Sequence, residues 1–387
     1  MMIELKGIAT NNKGAHLMLL SILEEFKKRE KHEIFCTEPR HGMDYKSAAL
    51  HGIFLKENLK GRKIPWSTLF NLLPKKTRRS YGLVMDREID LILDGSGFAY
   101  GDFWGAKKIE SRLGNFLNNK TKPSSKLILL PQALGPFEDQ SVKKSFQKVV
   151  DKADLIFARD MVSYNNLVKS YGEKENFKLA PDFTNLLYSG EKKDYEDGEI
   201  CIIPNYKMIP DSTAREKYYR FMIDSINYLN KSGNRLYFLI HEGKKDRKIA
   251  EEINLEIDTK LKIVEPYDAL EIKNRIKSSK LIIVSRFHGL VSALSQGVPA
   301  ISTSWSHKYL ELLKDYDLEN HLIDIDNYDS TQLFGLIDAS LSQNENLERD
   351  NQLIKIEEQK SRSNKTWDAI FNVIYGEVQS FRNNSSL

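Results

Sequence analysis

This chain of 387 residues has few cysteines, no long apolar run and no leader-like start. The two cysteines, Cys36 and Cys201, lie far apart and form no metal-ligand motif, and we expect Cys201 to be a buried, reduced thiol. No segment approaches the roughly 18 consecutive apolar residues that span a bilayer, and the first residues lack the pattern of a secretory signal. We therefore expect a cytoplasmic protein, and peripheral contact with the inner face of the membrane stays open.

Charge of a single sign and internal repetition are lacking as well. The net charge of +4 is small for this length and does not indicate a nucleic-acid partner. The sequence contains no short-period repeat and no low-complexity tract. Its length suits two domains of similar size better than one hydrophobic core.

Strand-like runs alternate with segments of helical period through most of the chain. In the first half the predicted strands cover residues 3–10, 33–37, 91–94, 127–131, 155–159 and 177–180, and the helices cover 14–28, 141–152 and 162–171. In the second half the strands cover 200–204, 236–241, 260–265 and 281–285, and the helices cover 214–232, 244–254 and 269–278. This alternation predicts an α/β protein with mainly parallel sheets.

A polar, charged stretch, Glu191–Gly198, separates the two halves and is typical of a linker. We predict an N-terminal Rossmann-like domain over residues 1–190 and a second one over 199–350, the two facing each other across a cleft. Residues 351–387 form a helical segment, in which Trp367, Ile370 and Phe371 lie on one apolar stripe. This segment is predicted to pack back on the first domain.

The most informative motif is Ser285-Arg286-Phe287-His288-Gly289, which follows the β-branched run of residues 281–284. A segment of helical period comes next, and Gly297-Val298-Pro299 then opens another apolar run. The pattern places a permanent cation, an imidazole and the free N–H groups of a helix at the carboxyl edge of a parallel sheet. Ligands of open α/β sheets bind at that edge, so we expect an anionic ligand with phosphate or carboxylate.

A second polar turn, Asn11-Asn12-Lys13-Gly14, follows the first predicted strand. It does not have the G-x-G-x-x-G spacing, so a dinucleotide is not indicated. Two interpretations stay open: the asparagines cap the next helix, or the loop contacts a polar acceptor.

A glycine-rich stretch, Asp94-Gly95-Ser96-Gly97, has the side chains to bind sugar hydroxyls. The nearby Phe98, Tyr100 and Trp104 are suited to stacking on a pyranose, and a purely structural turn is the alternative. Gln132 offers a further amide in the strand-end loop 131–136.

Arg159 and Asp160 end another predicted strand. The arginine can grip phosphate or carboxylate in a bidentate manner, and a structural contact with local caps is the alternative. Asp182 closes the last strand of the first half, and His241 ends a strand of the second. His241 is either a second polar arm of the donor pocket or a solvent-exposed strand end.

One basic and aromatic segment, residues 60–79, carries Lys and Arg clusters on both sides of the apolar run 64–73. It fits a surface helix at an anionic membrane face. A buried helix with solvated flanks fits the same pattern.

With these residues, the chain resembles the polysaccharide pyruvyl transferase family. The resemblance covers most of the chain and is most specific at 285–289, where Arg, an apolar residue and His end a strand before a helix and Gly-x-Pro. It implies a glycosyltransferase-B-like fold. It also implies transfer of the enolpyruvyl group of phosphoenolpyruvate onto two sugar hydroxyls of a cell-surface or capsular polysaccharide precursor. A pyruvate ketal and phosphate would result. The Lys13-Gly14-Ala15 loop departs from the commoner Gly-Asp form, which leaves the acceptor open.

The resemblance implies a catalytic role for His288 as proton donor, with Arg286 and Arg159 neutralising phosphoenolpyruvate. The candidate substrate-binding residues are Phe287, Gly289, Asn11, Asn12, Lys13, Gly14, Asp94, Gly95, Ser96, Gln132, Asp182 and His241. We expect the acceptor on the first domain and the donor on the second, with no metal and no cofactor. The acceptor saccharide is free or lipid-pyrophosphate-linked.

Two other functions compete with this one. Nucleotide-sugar glycosyltransferases of the same fold hold the donor ribose with a Glu where this chain has Ser292. A serine cannot accept two ribose hydrogen bonds as a carboxylate does, which counts against a nucleotide donor. A non-catalytic glycan-binding scaffold is the second competitor, and it would not need a proton donor.

Overall fold

The computed structural model describes residues 1–38, 43–56, 72–195, 199–342 and 347–376. The chain divides into two compact units. Unit 1 comprises residues 1–10, 22–182 and the chain from 361, and unit 2 comprises 11–21 and 183–360. Each unit contains one sheet, and every described strand pair is parallel. The predicted α/β architecture with two Rossmann-like domains is confirmed.

The sheet of unit 1 has nine strands among the described residues. They are β1 (Met2–Lys6), β2 (Ile34–Thr37), β3 (Phe54–Lys56), β4 (Leu83–Val84), β5 (Leu91–Asp94), β6 (Phe98–Tyr100), β7 (Lys126–Leu134), β8 (Leu155–Ala158) and β9 (Phe177–Leu179). Their order is β4-β3-β2-β1-β5-β7-β8-β9, with β6 paired to β7. The order therefore reverses between β1 and β5.

The sheet of unit 2 has six strands in the described part of the chain. They are β10 (Ile200–Ile203), β11 (Leu236–Leu239), β12 (Lys262–Val264), β13 (Leu281–Val284), β14 (Ala300–Thr303) and β15 (Leu322–Ile323). Their order, β12-β11-β10-β13-β14-β15, is that of the Rossmann fold. Here the order reverses between β10 and β13, and such a reversal is the usual ligand-binding point of a doubly wound sheet.

Helices follow most of the strands. They are α1 (Lys13–Lys28), α2 (Tyr45–Leu50), α3 (Lys75–Ser80), α4 (Ala106–Leu117), α5 (Gln140–Lys152), α6 (Met161–Tyr171), α7 (Ser212–Lys231), α8 (Gly243–Glu256), α9 (Ala269–Ser278), α10 (Phe287–Leu294), α11 (Lys308–Lys314), α12 (Ser330–Ser342) and α13 (Leu347–Tyr375). Aspartates define several of the helix starts: Asp139, Asp160, Asp211 and Asp268 accept hydrogen bonds from first-turn N–H groups of α5, α6, α7 and α9.

The central strands are apolar on both faces because helices cover both. All residues of β5, β8, β10 and β13 are buried, as expected for a parallel sheet. Their side chains form the cores of the two units.

The predicted return of the C-terminal helix to the first unit is confirmed. Trp367 is fully buried, and the ring of Phe371 lies 4.8 Å from that of Phe26 of α1. Arg29 Nη2 lies 3.2 Å from Asp368 Oδ1. These contacts attach α13, from Ser361 onward, to unit 1.

The structure differs from the sequence prediction at two places near β1. The strand ends at Lys6, not at residue 10, because Gly7 has φ +75° and lies against Ser96, where a Cβ atom would come within 2.3 Å of the Ser96 Cα. Residues 11–21 are grouped with unit 2, although the sequence predicted one domain over 1–190.

Most of the basic and aromatic segment 60–79 lies outside the described residues, and so does the end of the predicted linker, residues 196–198. The expectation of membrane contact stays a prediction. Among the described helices, none combines the length and the apolar character that a bilayer span requires. Cys36 and Cys201 are buried free thiols, and burial raises the pKa of both.

Candidate functional site

Arg286 lies at the carboxyl edge of the unit 2 sheet, directly after β13 and its neighbour Ser285. Its Nε donates to Asp246 Oδ2 at 2.8 Å, its Nη2 donates to Asp246 Oδ1 at 2.6 Å, and its Nη1 donates to Glu242. Burial alone would lower the pKa of Arg286, but the negative charges of Asp246 and Glu242 raise it above its ordinary value. The guanidinium is therefore a fixed cation, with part of its donors already bound.

The end of β13 is held by a buried hydrogen-bond network. Asn205 Nδ2 and the hydroxyl of Tyr309 both donate to the carbonyl oxygen of Ser285, at 2.6 and 2.9 Å. The hydroxyl of Tyr218 donates to Ser285 Oγ at 2.9 Å. Such outer contacts keep a functional side chain in one geometry, and here they fix the start of α10.

His288 is the second residue of α10, and two neighbours fix its ring. The imidazole meets the ring of Phe287 edge-to-face, with 5.4 Å between centroids. On another side lies Gly14, where an added Cβ atom would come within 2.4 Å of His288 Nδ1. Phe287 itself is 6% exposed, so it supports the imidazole from the core. Gly289 allows close packing on β13, since a Cβ there would lie 2.9 Å from Val284 Cγ2.

Gly14→Ala should reduce turnover because the new methyl group would displace the His288 ring or the α1 start. We expect a loss of about 10²-fold, the size of effect that a misplacement of about 1 Å produces. Steady-state kinetics would measure it. Gly114→Ala in α4 is the matched control, because its Cβ would have no neighbour nearer than 3.9 Å. Equal turnover of the two variants would contradict the prediction.

The loop 11–14 caps α1 and contacts the Arg286 cluster at the same time. Asn12 Oδ1 accepts from the Ala15 N–H at 3.0 Å, and Asn12 Nδ2 donates to Glu242 Oε1 at 2.7 Å. Lys13 Nζ donates to the carbonyl of Tyr267 at 2.5 Å, and Asn11 is exposed. The capping interpretation therefore describes Asn12, whereas contact of this loop with an acceptor stays a prediction.

His241 is buried, with 3% exposure, so the interpretation as a solvent-exposed strand end is wrong. Its Nε2 has no hydrogen-bond partner among the described residues. Burial lowers the pKa of His241 well below its ordinary value, and the positive charges of Arg286, His288 and Lys13 lower it further. His241 is therefore a neutral imidazole next to three cationic or titratable side chains.

Glu242 and Asp246 are the two residues of this cluster that the sequence analysis did not name as candidates. They stand four residues apart at the start of α8, so they lie on one face of the helix. The sequence does contain a signal for these residues, because two carboxylates follow closely after a histidine at a strand end. Their partner Arg286 is distant in sequence and could not be identified that way.

In unit 1, Arg159 pairs with Asp182: Nη1 lies 3.1 Å from Oδ2, and both residues are at most 5% exposed. Asp160 instead caps α6 by accepting from the Ser163 N–H at 2.7 Å. The suggested role of Arg159 and Asp182 in substrate binding stays a prediction.

The loop after β5 is held by a buried carboxylate. Asp94 is fully buried and accepts hydrogen bonds from the Ser96 N–H at 2.9 Å, from the Ser96 hydroxyl and from the Tyr100 hydroxyl. Gln132 Nε2 donates to the Asp94 carbonyl at 3.2 Å, and Gly95 is buried. Asp94 and Gln132 thus shape this loop.

The aromatic side chains near this loop have different surroundings. Tyr100 is fully buried against Phe146, so the predicted stacking of Tyr100 on a sugar is wrong. Phe98 packs against Trp104 and Phe103, which are 37% and 67% exposed. The exposed rings of this group remain candidates for sugar stacking.

Across the described ranges, no group of three or more His, Cys, Asp or Glu side chains is arranged to hold a metal ion. The carboxylates at the candidate site, Glu242 and Asp246, are bound to Arg286 instead.

Solved structures share this fold at low sequence identity. A putative UDP-N-acetylglucosamine 2-epimerase from Listeria monocytogenes matches with a TM-score of 0.62 at 12% identity, over 97% of each chain. HepE (Alr3699) from Anabaena in complex with UDP-glucose gives 0.55 at 14% identity, over 95% of this chain and 100% of that one. The UDP-GlcNAc 2-epimerase of Methanocaldococcus jannaschii gives 0.55 at 13% identity, over 92% and 99%. These similarities confirm the glycosyltransferase-B-like fold.

Ser292, the residue that replaces the ribose-binding Glu of nucleotide-sugar enzymes, is 1% exposed within α10. The family model for polysaccharide pyruvyl transferases, in turn, matches residues 12–307, well over half of the chain. This span contains the Asn12 loop, the Glu242 and Asp246 pair and the motif 285–289. The chain therefore belongs to the polysaccharide pyruvyl transferase family.

Proposed function

We propose that the protein transfers the enolpyruvyl group of phosphoenolpyruvate to two hydroxyls of a saccharide acceptor, giving a pyruvate ketal and phosphate. The observation that supports this most is the placement of His288. Its ring is held between Gly14 and Phe287, two residues from a fixed guanidinium, where the strand order of unit 2 reverses. A proton donor beside a cation fits a reaction that protonates an anionic enol.

The cationic groups suit the donor's phosphate and carboxylate. Lys13, Arg286 and His288 all act electrostatically on His241. Arg286 is the N-cap residue of α10, and its side chain makes no hydrogen bond to the first turn of that helix. Helix N–H groups at such a position favour anions. In this structure Arg286 Nη1 is paired with Glu242. The Glu242 side chain is 30% exposed, so it has room to move away when a substrate anion takes its place.

The proposed chemistry needs few proton transfers. His288 gives a proton to C3 of the enol while a sugar hydroxyl attacks C2, and the hydroxyl proton returns to His288. The bond from C2 to the phosphate oxygen then breaks, with its electron pair leaving on phosphate. The second hydroxyl attacks C2, and the departing phosphate takes that proton. One proton enters the methyl group and one leaves with phosphate, so the step balances with a single acid–base residue.

His241 supports this scheme as a neutral group. Because its pKa is far below the ordinary value, it does not add positive charge near neutral pH. It can still exchange a hydrogen bond with an oxygen of either substrate. We propose that His241 orients a substrate oxygen and leaves proton transfer to His288.

Incubation with phosphoenolpyruvate and a panel of free and lipid-pyrophosphate-linked glycans tests the function. We expect phosphate release that depends on the glycan, together with a mass increase of one pyruvate ketal on the same glycan. UDP-glucose with the same panel tests the nucleotide-sugar alternative. Glycosyl transfer from UDP-glucose without use of phosphoenolpyruvate would refute the proposal, and glycan binding without turnover would favour the scaffold.

A further inference from the structure

A cluster of charged side chains lies at the carboxyl edge of the unit 1 sheet, and the proposed reaction does not use it. Lys56 Nζ lies 2.5 Å from Glu4 Oε1, 3.2 Å from Glu38 Oε1 and 2.9 Å from Asp86 Oδ1. Lys6 Nζ lies 2.8 Å from Glu4 Oε1 and 3.0 Å from Glu38 Oε1. Glu4 and Lys56 are 1% exposed. Together these residues form one buried ion network.

Such a network is costly for a fold. Each buried ion loses several kcal/mol of hydration free energy. Well-packed apolar residues of similar volume often stabilise a fold as much as a buried ion pair does, or more. Burial alone would raise the pKa of Glu4, but the positive charges of Lys6 and Lys56 lower it below its ordinary value. The groups therefore stay charged. Groups with perturbed pKa values cluster at functional sites.

A small cavity opens beside this network. Its volume is about 10 Å³, and its lining includes Lys6, Gly7, Thr37, Glu38 and Arg112. That volume is about what one water-sized group needs, so it matches a single hydroxyl. The cavity follows β1 and β2, next to the point where the strand order of unit 1 reverses. Ligands of doubly wound sheets bind at such points.

Arg112 of α4 lines this cavity. Its Nη1 donates to Ser96 Oγ at 2.9 Å. Its Nε is buried and has no hydrogen-bond acceptor within the described part of the chain. A buried N–H without an acceptor is unfavourable, and a ligand oxygen in the cavity would satisfy it.

The charges around the cavity select the ligand. Glu38 disfavours an anion, whereas Lys6 and Arg112 disfavour a cation. A hydroxyl both donates and accepts hydrogen bonds, so it can pair with the carboxylate and the guanidinium at once. We propose that this cavity binds one hydroxyl of the acceptor saccharide, with Arg112 donating to the oxygen and Glu38 accepting from it. The inference rests on the proposed function, because that function requires a saccharide acceptor.

Saturation-transfer NMR with the methyl glycosides of glucose, galactose and mannose tests this cavity. We expect binding to the wild type, and an affinity about 10- to 100-fold lower in Arg112→Gln and Glu38→Gln, as for loss of a charge-assisted hydrogen bond. Arg112→Lys keeps the charge but removes the Nε donor, so it should also bind glycosides more weakly. Lys107→Gln, an exposed residue of the same helix, is the matched control and should bind as the wild type does.

Isothermal titration with phosphoenolpyruvate separates the two proposals. Binding of phosphoenolpyruvate should be unchanged in the Arg112 and Glu38 variants, and circular dichroism should show them folded. The cavity assignment would be overturned if the folded Arg112→Lys and Glu38→Gln variants bound glycosides as tightly as Lys107→Gln does. A lack of glycoside binding by the wild type would overturn it as well. Failure of the wild type to bind phosphoenolpyruvate would instead overturn the proposed function.

Discussion

Replacement of His288 by alanine should lower turnover by about 10²- to 10⁴-fold, the contribution of a positioned general acid–base group. Phosphoenolpyruvate should still bind, because Lys13, Arg286 and the first turn of α10 remain. The expected pattern is thus a large loss in kcat with a small change in the dissociation constant. Single-turnover kinetics and titration calorimetry measure the two quantities separately.

His288→Gln serves as the control for shape. Glutamine can keep a hydrogen bond near the position of Nε2, but it cannot deliver a proton at neutral pH. It should therefore bind phosphoenolpyruvate like the wild type and turn over as slowly as the alanine variant. Turnover within a few-fold of the wild type in either variant would remove His288 from the chemistry.

Replacement of Arg286 by methionine should be the most destabilising single change at the site. It would leave the carboxylate of Asp246, which has no exposed surface, without its partner. Breaking a buried ion pair in this way costs about 3–5 kcal/mol. Urea denaturation would measure the change in the free energy of unfolding, and activity should be lost as well.

The double variant Arg286→Met with Asp246→Leu separates stability from function. Since both charges of the bidentate pair are removed, most of the lost stability should return, while activity should not. Arg247→Met is a matched control on α8, because its pairs with Glu251 and Glu265 are exposed. Loss of an exposed pair should cost about 1 kcal/mol or less. A stable, active Arg286→Met variant would show that the Asp246 pair is unimportant.

Much of the fold could be predicted from the sequence. The strands at 91–94 and 281–284 and the helix at 269–278 were located to within one residue, because each is a short apolar run or a periodic segment with a clear start. The sequence also placed the motif 285–289 at a strand end, which the structure confirms, because β13 ends at Val284. These features depend on residues close together in the chain.

Other parts of the site depend on contacts that no local pattern contains. The packing of Gly14 against His288 joins residues far apart in the chain. The burial of Asp246 beneath Arg286 required the strand order of unit 2. The Glu4, Lys6 and Lys56 network depends on the strand order of unit 1, because its strands β1 and β3 neither pair directly nor follow each other in sequence. A cavity lined by such residues could not be predicted from spacing.

The sequence by itself thus determined the alternation of strands and helices and the family. Only the tertiary structure decided which carboxylates hold Arg286, that His241 is buried and neutral, and that Tyr100 is unavailable to a sugar. The physical reason is that periodicity and turn chemistry act over a few residues. Burial, charge pairing and pKa depend on neighbours that strand order brings together from distant parts of the chain.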